Sequence, residues 1–169
     1  MSELLPEIKS ELLEKAASEG MDEFLDVFIQ AYIQLTDDEL SAEKMQLLNG
    51  YQHTLLAWHY FTQEMRDGGF VQLIQNGYGA YIFDNPFAKA MRLFGAAELS
   101  KLIYKAKKIY DGHREELERE TTEEEFHAMY EQFEAFDDLE ERYFEIEEEQ
   151  TEAIARYVDQ NIGRFATIV

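Results

Sequence analysis

Four glutamates, Glu141, Glu145, Glu148 and Glu152, recur at i, i+4, i+7 and i+11, the spacing that puts side chains on one face of an α-helix. Glu134, Asp137 and Asp138 extend the row upstream, and Glu124 and Glu131 face outward on the predicted helix before it. Carboxylates four residues apart on a helix differ by about 6 Å of axial rise. A duplex presents backbone charge on that scale, about 3.4 Å per phosphate on each strand. Two such helices present two anionic rows. The chemistry open to them is ionic: they attract lysine and arginine side chains, including those that grip nucleic-acid phosphates.

These residues belong to a larger acidic block. Asp111 to Glu152 holds nineteen Asp and Glu against Arg114, Arg119 and Arg142, a local balance of −16 in a chain of −21. Phe126, Met129, Tyr130, Phe133, Phe136, Leu139, Tyr143, Phe144 and Ile146 run through it at helical spacing. Disordered acidic tracts lack such aromatics, so the block is expected to be folded. Like charges at i,i+4 destabilise a helix by about 0.2–0.5 kcal/mol per pair, and a face needing only solubility usually mixes both signs. The asymmetry favours a surface with a partner over an ordinary solvated face, though both readings accommodate the pattern.

Other chemistry is poorly provided for. Glu124 and His127 form one Glu-x-x-His, half the signature of a carboxylate-bridged metal site. None of His53, His59 or His113 has a glutamate three residues before it. Asp67-Gly68-Gly69-Phe70 lacks the Lys-Ser/Thr of a phosphate loop, and no Gly-x-Ser-x-Gly turn or Asp-x-Asp-x-Asp-Gly calcium loop occurs. The chain has no cysteine, which removes disulfides and thiolate ligands and fits a reducing cytoplasm. No catalytic residue, metal or cofactor is expected.

The elements that position the carboxylates are helical. Leu4, Leu5, Ile8, Leu12 and Leu13 form a stripe with Pro6 in its first turn, and Gly20 ends it. Phe24, Leu25, Phe28, Ile29, Tyr32 and Ile33 form the next. Thr36-Asp37-Asp38-Glu39 reads as a capping box. A run from Leu40 to about Arg66 follows, which Asn49-Gly50 is placed to split. Tyr78 to Asp84 is the one stretch where strand or loop competes with helix. Asn85-Pro86 restarts a helix with Asn as N-cap, Gly95 breaks it, and the next helix runs to Asp111-Gly112. Thr122 opens a second capping box, Asp137 a further helix, and the last helix is expected to reach Gly163.

At 169 residues and 46% hydrophobic, the chain is expected to be one all-α domain, residues 1–169, a bundle of about eight helices. It shows no membrane span and no secretory signal. Its pI near 4.4 argues against direct contact with nucleic acid or anionic lipid. Lys89, Arg92, Lys101, Lys105, Lys107 and Lys108 collect basic charge in one segment, suited either to pairing with the acidic helices or to a separate basic site.

The run Glu64-Met65-Arg66-Asp67-Gly68-Gly69-Phe70-Val71-Gln72-Leu73-Ile74-Gln75-Asn76 resembles the nineteen-kilodalton DNA-mimic protein family. Its marks are Gly68, Gly69 and Phe70 closed by Asn76, then Ala90 and the turn at Gly95. The resemblance covers about residues 49–109, with Asp67 where Asn is the family habit, and the acidic segment 111–152 shares its character. It implies an acidic, all-helical homodimer without enzymatic activity. One member of that family imitates duplex DNA on the DNA-binding surface of a transcription factor. The expected partner is therefore a basic DNA-binding protein, a transcription factor or a nucleoid-type protein. Glu124, Glu131, Glu134, Asp137, Asp138, Glu141, Glu145 and Glu148 are the expected phosphate-mimicking carboxylates, chosen by helical phase. Three readings stand beside this one: an immunity-type inhibitor of a basic nuclease toxin, a metal oxidase using Glu124 and His127, and a housekeeping fold whose acidity serves solubility.

Overall fold

The computed structural model describes residues 5–169, and the architecture is all-α. In chain order the elements are β1 (Glu7–Ile8), α1 (Ser10–Glu19), α2 (Met21–Thr36), α3 (Ala42–Met45), α4 (Gly50–Asp67) and α5 (Gly69–Leu73). A π-helical turn (Ile74–Tyr78) leads to α6 (Gly79–Phe83), α7 (Phe87–Leu93), α8 (Ala97–Gly112), α9 (Arg114–Glu118) and α10 (Glu123–Gln132). A 3₁₀ turn (Glu134–Phe136) then precedes α11 (Asp137–Gln160), α12 (Ile162–Phe165) and β2 (Thr167–Ile168). The helices outnumber the expected eight because α3, α5, α6, α9 and α12 are single turns of four or five residues.

The chain divides into two compact units. The first comprises residues up to His59 together with Thr151–Val169. Its core holds the expected α2 stripe, with Phe24, Leu25, Phe28, Ile29 and Tyr32 buried beside Leu55, Ile154, Val158 and Phe165. The Phe165 carbonyl accepts from the Tyr32 hydroxyl at 2.8 Å and from Gln52 Nε2 at 3.2 Å, which satisfies these three groups inside the core. β1 and β2 pair in parallel, Glu7 opposite Thr167.

Three local expectations are corrected here, those on Pro6, Leu12 and Thr36. Leu4 lies outside the described residues. Pro6 is not in a helical turn: its carbonyl accepts the Thr167 N–H at 2.9 Å, and this pairing delays α1 until Ser10. Leu12 is 54% exposed where the stripe placed it inside. Thr36 ends α2 instead of starting a helix, because Asp37 and Asp38 follow in the left-handed region at φ 53° and 56°. Its hydroxyl donates back to the Tyr32 carbonyl at 2.9 Å, and Ser41 caps α3. Asn49-Gly50 does split the run, through a reciprocal cap: Gln52 N–H donates to Asn49 Oδ1 at 2.8 Å, and Asn49 N–H to Gln52 Oε1 at 2.9 Å.

The second unit, Tyr60–Gln150, is built on aromatic rings. Phe70 is fully buried, with Phe136 at 5.2 Å, Phe61 at 6.1 Å and Phe83 at 6.2 Å between centroids. Tyr143 meets Phe61 edge-on at 5.7 Å. In the stretch Tyr78 to Asp84 helix prevails: Tyr78 ends the π-helical turn and Gly79–Phe83 is α6. A Cβ on Gly79 would lie 2.9 Å from the Tyr110 ring, so only glycine lets α6 pass this close. α7 begins one residue later than expected, with Pro86 at the N-cap and Asn85 Nδ2 donating to the Tyr81 carbonyl at 2.8 Å. Gly95 closes α7 at φ 90°, as expected. α11 stops at Gln160, short of Gly163, with Asn161 leading into α12.

Candidate functional site

The acidic helices start where the sequence says. Thr122 Oγ1 accepts the Glu125 N–H at 3.2 Å while Thr122 N–H donates to Glu125 Oε1 at 3.3 Å, a complete capping box on α10. Glu123, Glu124 and Glu125 fill its first turn, and Asp137, Asp138 and Glu140 fill that of α11. Negative charge is favoured there by the helix dipole, which offsets part of the repulsion among these side chains. Of the apolar residues spaced through α10, α11 and the turn between them up to Ile146, Met129, Phe133, Phe136, Tyr143 and Ile146 are buried.

Both acidic helices are fastened to the glycine turn that begins α5. Tyr130 of α10 donates its hydroxyl to the Gly68 carbonyl at 3.1 Å. Glu140 of α11 accepts the Phe70 N–H at 2.9 Å. Gly69 sits at φ 83°, and a Cβ there would stand 2.2 Å from Glu140 Oε1. The turn therefore needs glycine for its backbone region and for the carboxylate that fills the vacant volume. Asn76 closes the motif by donating to Glu64 Oε2 at 2.9 Å. Gln75 holds the α9–α10 connection through the carbonyls of Leu117 and Arg119. The glycine motif thus holds the two helices that carry the acidic surface.

Burial pushes the half-buried Glu140 carboxyl up from its ordinary value; the Phe70 N–H opposes this and Asp137 adds to it. A raised acid pKa means that the folded state favours the protonated form. Its contribution to stability is full below the unfolded value and is lost as pH climbs through the folded one. Glu140→Gln keeps an oxygen for the Phe70 N–H and carries no charge. The Tm of this variant relative to the native chain is expected to rise as pH climbs above the ordinary glutamate value, about 4, by about 2–4 °C per kcal/mol of relieved desolvation. Thermal scans at several pH values check this, and parallel curves would refute it.

Glu124, Glu131, Glu134, Asp137, Asp138, Glu141, Glu145 and Glu148 are all exposed. Among the described residues only Glu145 of these eight makes an ion pair, with Arg142 at 3.1 Å. Other carboxylates of the block serve the fold: Glu140 as above, Glu147 paired with Arg66, Glu118 with Arg114 at 3.0 Å and the Tyr110 hydroxyl at 2.6 Å. The eight chosen by helical phase include none of these structural carboxylates, but other exposed neighbours were passed over, two of them beside the row on α11. One is Glu149. The other is Phe144, 53% exposed beside the buried Tyr143.

Among the described residues of one chain, the basic segment does not neutralise this surface. Lys101 and Lys107 pair locally, with Glu98 at 3.4 Å and Asp111 at 2.7 Å. The link between α8 and α11 runs the other way, from Arg142 of α11 to Glu98 of α8 at 3.6 Å. Lys89, Arg92, Lys105 and Lys108 are exposed and form no ion pair among the described residues. His127 approaches Glu123 at 4.0 Å on the exposed face of α10. Among the described residues no group of three or more His, Asp or Glu side chains is placed to hold a metal ion. No described helix is long and apolar enough to cross a membrane.

An all-α chain with solvent-facing carboxylate rows on helices pinned to a glycine turn is thus an acidic protein with a built anionic surface. Residues 46–161 match the sequence profile of the DMP19-like proteins. The chain is also 33% identical over 141 residues to the DNA mimic protein DMP19 of Neisseria meningitidis serogroup B (strain ATCC BAA-335 / MC58), a match covering 83% of this chain and 85% of that protein. The chain belongs to the DMP19-like family. The match extends beyond the glycine motif and takes in the acidic helices α10 and α11.

Proposed function

We propose that this protein is a DNA mimic without enzymatic activity, occupying the DNA-binding surface of a basic DNA-binding protein in competition with duplex DNA. The partner is a transcription factor or a nucleoid-type protein, and the working form is a homodimer. The observation that carries this reading is the set of exposed carboxylates on α10 and α11, seven of the eight without an ion pair among the described residues. Its relative bears the name of a DNA mimic. Arrayed charge with few internal counterions leaves its field for a partner, so association is fast and strongly weakened by salt.

The test is capture from the native host's lysate on immobilised chain, with washes of rising ionic strength and with added duplex DNA. A basic DNA-binding protein that elutes as salt rises, and that duplex competes away, is the expected result. A partner retained through high salt and indifferent to DNA would contradict the reading.

A further inference from the structure

We propose that Phe144 makes the carboxylate row of α11 selective for arginine over lysine. The inference rests on the reading that this row meets a basic protein, and it adds a preference that phosphate mimicry by charge alone does not supply. Phe144 is 53% exposed, whereas Tyr143 next to it is 2% exposed and sits among core rings. Its helical neighbours at i−4, i−3, i+3 and i+4 are Glu140, Glu141, Glu147 and Glu148, four glutamates. Glu140 is engaged by the Phe70 N–H and Glu147 by Arg66. Glu141 and Glu148 are exposed and have no ion pair among the described residues. The result is a phenyl ring flanked by two available carboxylates, met by Tyr143 edge-on at 5.3 Å.

This arrangement matches one side chain better than any other. A guanidinium is planar and weakly hydrated. It stacks on an aromatic face and donates two parallel N–H groups to a carboxylate in the same pose. An ammonium is a strongly hydrated point charge that reaches the carboxylate and gains less from the ring. Arginine is also the residue that most often reads guanine edges in the major groove, so a surface displacing DNA meets arginines at its centre. Left in water, the ring keeps its apolar surface available to a partner, and burying a phenylalanine side chain is worth about 1.5–3 kcal/mol.

The test titrates the full-length chain with two labelled probes of equal charge, octa-arginine and octa-lysine, at one fixed salt concentration. The native chain is expected to bind the arginine probe more tightly. Phe144→Leu, which keeps apolar bulk and removes the ring, should weaken octa-arginine by about two- to fivefold and leave octa-lysine unchanged. Phe144→Trp should restore the preference. Equal weakening of both probes, or of neither, overturns the proposal. So does a Leu variant whose sedimentation shifts while its peptide affinities do not, because Phe144 would then seat a second copy of the chain. The underlying reading fails separately: if E141K/E145K/E148K leaves both probes bound as before, the row itself is not the contact surface.

Discussion

Reversing Glu141, Glu145 and Glu148 to lysine is expected to weaken binding of the basic partner by about a hundredfold or more, with the fold intact. All three side chains are exposed, and only Glu145 has an internal counterion, Arg142 at 3.1 Å. Close charge pairs across a protein interface couple by about 1.5 kcal/mol or more, and each 1.4 kcal/mol is tenfold in affinity. Two productive contacts suffice for the expected loss, and reversal adds repulsion. Thermal stability should hold: the new lysines face the retained acids Asp137, Asp138, Glu149 and Glu152, which offsets their mutual repulsion and the lost Arg142 pair, each worth about 0.2–0.5 kcal/mol. Surface plasmon resonance across a salt series reads both consequences: slower association and a shallower salt dependence. Undiminished affinity would move the contact surface off α11.

Phe70→Ala is expected to do the opposite, striking stability first. The side chain is fully buried and sits among the rings of Phe61, Phe83 and Phe136. Truncating such a phenylalanine costs about 3–5 kcal/mol, which in a chain of this length lowers Tm by about 6–20 °C. Phe136 is the last residue before α11, and the Phe70 N–H is held by Glu140. The cavity therefore opens beneath the start of the carboxylate row. Denaturation followed by circular dichroism checks the loss. At temperatures where the variant is folded, its affinity for the partner should fall less than that of the triple reversal, because every exposed carboxylate is still present. A variant as stable as the native chain would show that the glycine–phenylalanine motif does not hold this unit together.

Patterns confined to a few turns were legible in the sequence. The α2 stripe, the Thr122 cap, the start of α11 at Asp137 and the outward phase of Glu141, Glu145 and Glu148 are all local consequences of helical periodicity and capping chemistry. What escaped depends on distant partners. The β1–β2 pairing joins residues from the two ends of the described chain in two-residue strands, too short for any alternation to show. Thr36 has the side chain of an N-cap, and only the left-handed pair Asp37 and Asp38 decides that it ends a helix. Glu140 and Glu141 are identical neighbours in sequence. One is drawn to a backbone N–H seventy residues away and the other stays in water. The aromatic count that argued for order could not tell Tyr143, inside, from Phe144, outside.

Legibility also differed between scaffold and activity. Gly69 is required by its φ of 83° and by the Glu140 carboxylate that occupies the place of a Cβ, so a family motif and an acidic helix are one mechanical unit. The charge segregation has a similar basis. Lys101 and Lys107 find partners one turn away on α8, which leaves the α10 and α11 carboxylates facing solvent. In a chain of net −21, acids on α10 and α11 with few cations beside them direct their field outward.

The most direct measurement is displacement. The captured DNA-binding protein, preloaded with a fluorescent duplex, is titrated with the native chain while the anisotropy of the duplex is followed. Mimicry predicts that anisotropy falls to the value of free duplex, with a midpoint that rises in proportion to duplex concentration. A ternary complex, with the chain bound and the duplex still held, would contradict it.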